Sequence, residues 1–386
     1  MKPIRILALI LCASFVSVAW GQQDGWSEFH RPNMTRSNPY EKVLNVNNVG
    51  NLSLLWSYTT GSYVNSSPAV ANGVVFVGSG DFNVYALNAS TGAKLWSYAT
   101  GNWVGSSPAV ANGVVYVGSN DGNVYALNAS TGALLWSYAT AGRVSSSPAV
   151  ANGVVYVGSD DSNVYALDAS TGAKLWSYAD FGKTAVVCSP AVANGVVYVG
   201  SDDGYFYALD ASTGTLLWSD RPGTVRSSPA VVNGVVYVGE FYGGMDGAPV
   251  FALDASTGAV LWSYLTGDVV WSSPAVANGV VYVSCRHAVC ALRASTGVRL
   301  WQYNTGIQNM VHSSPAVANG VVYVGSGDTG AYTHHRYGNV YALDAKTGAK
   351  LWSYTTPNLV TSSPAVANGV VYVGSDDGNV YAFGLK

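Results

Sequence analysis

From Leu52 to the C-terminus, short apolar runs are cut by Asn-Gly, Asp-Gly and Thr-Gly pairs, a rhythm too quick for helices. One stretch shows the elements that this pattern predicts. Val104–Ala111 (VGSSPAVA) reads as strand A, and Asn112-Gly113 as a hairpin turn needing positive φ at both positions. Val114–Ser119 (VVYVGS) is strand B. Asn120-Asp121-Gly122 turns into strand C, Asn123–Asn128 (NVYALN). Ser130-Thr131-Gly132 turns into strand D, Ala133–Tyr138 (ALLWSY).

The unit repeats. Its Ser-Pro-Ala-Val motif places Pro at 68, 108, 148, 190, 229, 274, 315 and 364, with spacings of 40, 40, 42, 39, 45, 41 and 49. A Leu-Trp landmark puts Trp at 56, 96, 136, 176, 218, 262, 301 and 352. A period near 40 belongs to four-stranded propeller blades. Helical repeats of that length are excluded by the density of Gly, Pro and β-branched residues. The expected fold is therefore all-β, an eight-bladed β-propeller of four-stranded antiparallel blades over residues 51–386.

Two details fix the assembly. Proline donates nothing to a ladder, so strand A belongs at a sheet edge, lining the central channel, with D and its Trp outermost. The chain opens with a D-like strand, Ser53–Tyr58, and ends after a C strand, Asn379–Phe383. Eight blades are complete only if that N-terminal outer strand joins the last one, which removes the exposed edges of an open ring.

Ala86–Trp96 (ALNASTGAKLW) resembles the tryptophan-docking motif of quinoprotein propellers, Ala-x-Asp-x-x-Thr-Gly-x-x-x-Trp. The motif returns with its Asp in Ala166–Trp176, Ala208–Trp218, Ala252–Trp262 and Ala342–Trp352, and with Arg293 in place of Asp in Ala291–Trp301. The resemblance covers nearly the whole chain after its first 50 residues. It implies a propeller of the pyrroloquinoline-quinone (PQQ)-like repeat family. That family includes PQQ-dependent alcohol and sugar dehydrogenases and also non-enzymatic outer-membrane assembly lipoproteins. The motif is structural in both branches, so it leaves activity open.

Composition narrows the classes further. Of 386 residues, 49% are hydrophobic, 12% aromatic and only 10% charged, with a net charge of −3. Disorder, a coiled coil and nucleic-acid binding are excluded on that balance. Residues 1–21 read as a secretory signal: Lys2 and Arg5, then the apolar Ile6–Ala19, then Ala19-Trp20-Gly21. The apolar run is short for a membrane span, and Leu11 is not the small residue a lipid-modified Cys12 would need before it. The expectation is an exported chain, secreted, periplasmic or at the cell surface, with no transmembrane segment once mature. Residues 22–50 form an extension expected to lie across one face. Cys285 and Cys290 flank a short connection and either form a cross-strand disulfide or stay buried thiols. Cys188 stands where other copies carry Ser and is expected to pack.

Function is sought where the copies disagree. The A–B and C–D turns barely vary, whereas the D–A and B–C connections vary greatly and must emerge together on one face. Four residues before each Pro stands a Val, and its neighbours differ from blade to blade. Tyr63, Trp103, Arg143, Arg226, Trp271 and His312, with nearby Lys183, form the candidate ligand ring at the channel mouth. A planar anionic quinone would stack on such aromatics and use guanidinium forks for its carboxylates. A peptide or glycan surface would use the same residues as anchors, and loop drift without any ligand accounts for them equally. His334-His335 with Asp328 gives no metal site, because adjacent strand residues face opposite sides. Asp160-Asp161, Asp202-Asp203 and Asp376-Asp377 lack the alternating oxygen ligands of a calcium loop and read as plain turns.

No catalytic set emerges: no Ser/His/Asp grouping, no paired carboxylates off the repeat template, no phosphate loop, no zinc spacing. The quinone dehydrogenases resembled here carry calcium and a catalytic Asp on longer loops. The expected function is a non-catalytic binding or scaffold module whose partner is a protein or a cell-surface polymer. The alternative is a small PQQ-dependent oxidoreductase using PQQ and calcium. A sealed ring needs no mate, so a monomer is expected.

Overall fold

The computed structural model describes residues 25–29, 35–179, 182–241, 247–306, 309–328 and 336–386. The expected leader and His334-His335 lie outside the described residues. Eight antiparallel sheets follow in chain order, each arranged A-B-C-D. Blade 2 has strand A Ala109–Ala111, B Val114–Gly118, C Asn123–Asn128 and D Leu134–Ala139. The hairpin asparagine and glycine of its A–B turn, Asn112 and Gly113, sit at φ 50° and 78°, the pair of positive values such a turn demands.

Strand A is three residues long in every blade, not the eight expected from Val104–Ala111. The Val-x-Ser-Ser-Pro lead-in is extended but belongs to no ladder, because its N–H groups are taken elsewhere. Val104 N–H donates to Ser79 O of blade 1 (3.2 Å), and Ser107 N–H to Ser147 Oγ of blade 3 (3.0 Å). The second bond recurs around the ring. Ser67 N–H reaches Ser107 Oγ (2.9 Å), each later blade repeats the step, and Ser363 N–H returns to Ser67 Oγ (2.9 Å). The Ser-Ser-Pro motif is thus a closed belt between blades. Cys188 replaces one serine of the neighbouring belt and keeps its bonds, accepting from Gly200 N–H (3.4 Å) and facing Ser227 O (3.3 Å). Burial pushes its thiol up to about 12, so it is inert.

At the outer rim, each tryptophan docks on the next blade. Trp96 Nε1 donates to Ala129 O at 2.9 Å, and its ring lies over Gly132. That glycine sits at φ 73°, and a Cβ built on it would come 2.7 Å from Trp96 Cδ2. Gly132→Ala is therefore expected to cost about 2 kcal/mol through left-handed strain and overpacking, read as a lowered midpoint in urea unfolding with an unchanged slope.

The ring closes on its first strand. Ser53–Thr59 pairs antiparallel with Asn379–Gly384 and supplies strand D of blade 8. Trp352 of blade 7 then finds its acceptor at Leu52 O (2.9 Å), and Trp56 docks on Ala89 O of blade 1 (2.9 Å). The seam keeps the tryptophan–carbonyl bond of the other junctions, but Tyr323 Oη at the blade 7–8 junction is buried without the alanine carbonyl that Tyr116 and Tyr156 reach elsewhere. In blade 6 the Cys285–Cys290 disulfide is present, which settles the two sequence alternatives. It replaces the clasp used elsewhere, where a strand C tyrosine donates to a turn aspartate, as Tyr125 does to Asp121 (2.7 Å).

Of the expected extension, residues 26–28 and 35–38 pair with the inner edges of the A strands, and residues 41–44 lie beside the A–B turns of blades 7 and 8. Trp26 exchanges backbone bonds with Val70 of blade 1, Ser27 O accepts from Val110 N–H of blade 2, and a Glu28 Oε2 accepts from Val150 N–H of blade 3. Farther along, Thr35 O takes Val276 N–H of blade 6, Arg36 O takes Val317 N–H of blade 7, and Asn38 Nδ2 reaches Val366 O of blade 8. Edge donors that would otherwise be stranded in the channel are satisfied this way. Arg36 is wholly buried. Its guanidinium donates to the carbonyls of Pro315, Phe29 and Pro364 and packs over the Phe29 ring at 4.4 Å. Burial pulls its pKa down to about 9, which leaves it cationic at neutral pH. The segment leaves beside the A–B turns, where Glu41 Oε2 accepts from Gly369 N–H and Leu44 O from Asn319 Nδ2. The D–A and B–C connections emerge at the opposite mouth.

Candidate functional site

The outward mouth carries the D–A and B–C connections, held in place by backbone bonds. In blade 2 Asn120 N–H donates to Trp103 O (2.9 Å); in blade 3 Asp160 N–H donates to Arg143 O (2.9 Å). Each Val of the lead-in is buried, while its two neighbours stay wholly or partly accessible. Where the next blade's Val packs, strand B ends in a glycine; a Cβ on Gly118 would meet Val144 Cγ1 at 2.4 Å.

The structure brings the candidate residues into two groups. Tyr63 and Trp103 meet edge to face with centroids 4.9 Å apart. From blade 4 to blade 7 a longer run forms. Asp202 takes a bidentate pair from Arg226, Nε to Oδ1 and Nη2 to Oδ2, both at 2.8 Å. The Arg226 guanidinium lies 4.3 Å from the Phe241 ring centre, and Phe241 meets Trp271 edge to face at 4.4 Å. Trp271 stacks on His312 at 4.8 Å with planes 21° apart, and His312 Nε2 lies 3.3 Å from Met310 Sδ. Burial holds His312 below the usual imidazole range, so it stacks as a neutral ring at pH 7. Trp271 and Met310 remain 43% and 38% exposed. Arg143 and Lys183 are exposed and have no side-chain bond among the described residues.

Sequence reading missed Phe241 and one aspartate of each Asp-Asp pair. The plain-turn expectation holds for the second member: Asp161 accepts from Asn163 N–H (3.1 Å) and Tyr165 Oη (2.8 Å). The first member turns to the mouth. Asp202 binds Arg226, and Asp376 accepts from Thr361 Oγ1 at 2.9 Å. Comparing copies at the position one past the end-of-B serine would have found them, since it runs Gly80, Asn120, Asp160, Asp202, Phe241, Arg286, Gly327, Asp376. Asp160 has Val187 where Asp202 has Arg226, and its buried Oδ1 has no partner. Burial, with Asp202 adding to it, raises its carboxyl above the ordinary range against the pull of Arg143 and Arg226. Asn65 Oδ1 and Trp103 Nε1 are likewise buried without a partner.

A bound PQQ with calcium would need open guanidinium forks, a bare aromatic face and converging metal ligands. Here Arg226 is already engaged by Asp202 and Phe241, and one face of Trp271 is covered by His312. No three His, Cys, Asp or Glu residues are grouped to hold a metal ion among the described residues. Arg143 alone offers an open fork, and without converging metal ligands among the described residues the candidate ring does not fit that cofactor.

The sequence pattern of the family described as outer membrane protein assembly factor BamB matches residues 51–102, 80–193, 183–332 and 308–386. Among curated proteins no sequence matches. Solved structures share the fold. BamB from Moraxella catarrhalis is 21% identical with a TM-score of 0.70, over 86% of this chain and 100% of that one. A europium-containing methanol dehydrogenase is 17% identical with a TM-score of 0.77, over 94% and 98%. The quinohemoprotein alcohol dehydrogenase from Comamonas testosteroni is 18% identical with a TM-score of 0.74, over 94% and 80%. At such identities the likeness extends to the propeller and no further. No helix among the described residues is long and apolar enough to cross a membrane.

Proposed function

The chain belongs to the family described as outer membrane protein assembly factor BamB, and on that premise we propose that it is an exported, non-catalytic propeller that docks a protein partner on its outward mouth. The observation that carries this reading is the run Arg226–Phe241–Trp271–His312–Met310. Exposed aromatic, Met and Arg side chains already packed against one another are pre-organised anchors of the kind that dominate protein interfaces. Residues 25–29 and 35–38 occupy the inner edges of the A strands, which favours the mouth with the D–A and B–C connections for recognition. Family kinship with a factor named for outer-membrane assembly favours a protein over a polymer.

The test pairs the wild type with Trp271→Ala/Met310→Ala, each carrying a photo-crosslinker at Arg143, in extracts of the exported fraction. A discrete protein adduct is expected with wild type and at least a tenfold weaker yield from the double variant, since two anchors of about 1–2 kcal/mol each are lost. Equal adducts from both proteins, or adducts to polysaccharide alone, would defeat the reading. So would dye reduction with alcohols or sugars on adding PQQ and calcium, which is expected to be absent.

A further inference from the structure

Blade 6 departs from the repeat in one small region, and the departures meet in one pocket. Its B–C connection is the two-residue turn Arg286-His287 between the disulfide-linked cysteines, without the turn aspartate of blade 2. Its strand D carries Gln302 where the seven other copies have Ser, and Asn304 two residues on. Arg286, His287, Gln302, Asn304 and Gly306 line a surface cavity there.

The polarity of the lining is one-sided. Arg299 Nη1 donates to Gln302 Oε1 (2.7 Å), and Gln302 Nε2 donates to Asn304 Oδ1 (2.9 Å). The relay therefore runs outward from a guanidinium and ends on the Asn304 amide nitrogen, which has no acceptor among the described residues. Hydrogen bonds chained in one direction from a cation strengthen the last donor. The Arg286 guanidinium also has no partner among the described residues, and His287 Nδ1 is buried without one. No carboxylate lines the pocket among the described residues. The pocket thus gathers the exposed donors of Arg286 and Asn304 on one concave wall, with Arg299 behind the relay.

We propose that this pocket binds the carboxylate of a small acidic ligand, with Arg286 as the planar fork, Asn304 as the second donor, and His287 and Gln302 serving neighbouring hydroxyls. One open guanidinium with amide donors matches a planar monoanion better than a dianionic phosphate. A uronic acid supplies both the carboxylate and the hydroxyls. The proposal is independent of the reading of the channel mouth.

Galacturonate is the probe, followed by titration calorimetry and saturation-transfer NMR, with galactose and inorganic phosphate as comparisons. Galacturonate is expected to bind at about millimolar strength, with galactose and phosphate at least about tenfold weaker. Gln302→Ser/Asn304→Ala restores residues that other blades carry, and Arg286→Asn suits the left-handed φ of 54°. Both variants are expected to keep the wild-type unfolding midpoint and lose binding by about tenfold or more. No galacturonate binding to the wild type, equal binding to the folded variants, or equal binding of galactose would overturn the site. Phosphate binding as tightly as galacturonate would overturn the carboxylate assignment.

Discussion

A chain lacking Ser53–Thr59 is expected to lose its cooperative unfolding transition and to associate through the bared edge of blade 8. The deleted strand is the whole hydrogen-bonding partner of Asn379–Gly384. With it go the Trp56 contacts to Tyr372 and to Ala89 O. Burying one indole of ~200 Å² contributes about 5 kcal/mol, and the ladder and the other side chains add to that. The sum is comparable with the ~5–15 kcal/mol by which a whole domain is stable. Thermal unfolding followed by near-ultraviolet dichroism, with sedimentation to detect association, reads both effects. Grafting SLLWSYT after Lys386 by a short linker is expected to restore the transition. An unchanged midpoint in the deleted chain would mean that the ring is not held by its seam.

Glu28→Gln is expected to stabilise the protein at neutral and alkaline pH and to flatten part of its pH dependence. Glu28 is buried against the inner edge of blade 3, where its carboxyl accepts from Val150 N–H at 3.3 Å. Burial raises its carboxyl from 4.5 to about 7, with the Val150 bond opposing. The folded state thus prefers the protonated form. This contribution to stability is complete below about pH 4.5 and is lost as pH rises through about 7. The loss amounts to about 3 kcal/mol. Glutamine keeps an acceptor for Val150 and carries no charge. Subtracting the variant's unfolding free energy from the wild type's between pH 4.5 and 8 isolates Glu28 from other shifted carboxyls such as Asp160 and Asp376. A difference that stays flat across that range would show that Glu28 ionises freely and that the segment is loosely held.

The blade count, the strand order and the closing strand were legible because each rests on a local signal copied many times: Asn-Gly turns, Pro at the edge, Leu-Trp at the rim. Strand A was read too long because alternation looks the same whether N–H groups bond within a sheet or across to the next blade. Ser107 bonds across. The inner residues left no mark in the sequence, since 26–28 and 35–38 have no period and meet backbone atoms of the A-strand valines. At the mouth, Tyr63, Trp103, Arg226, Trp271 and His312 stood out by differing among copies. Asp160 and Asp202 were hidden because each precedes an aspartate that makes an ordinary turn. Whether Arg226 was open for a ligand depended on Asp202, in a different blade, and pairing between blades is not written in either residue alone.

The strand that seals the disc is made more than 300 residues before the strand it must meet. Until the final blade emerges, Ser53–Thr59 has no partner and Trp56 cannot take its place in a complete rim. Closure therefore joins strands more than 300 residues apart, and such distant pairing is slow. The half-made molecule is a growing arc with one raw flank, which gives a chaperone a defined target and a defined moment of release.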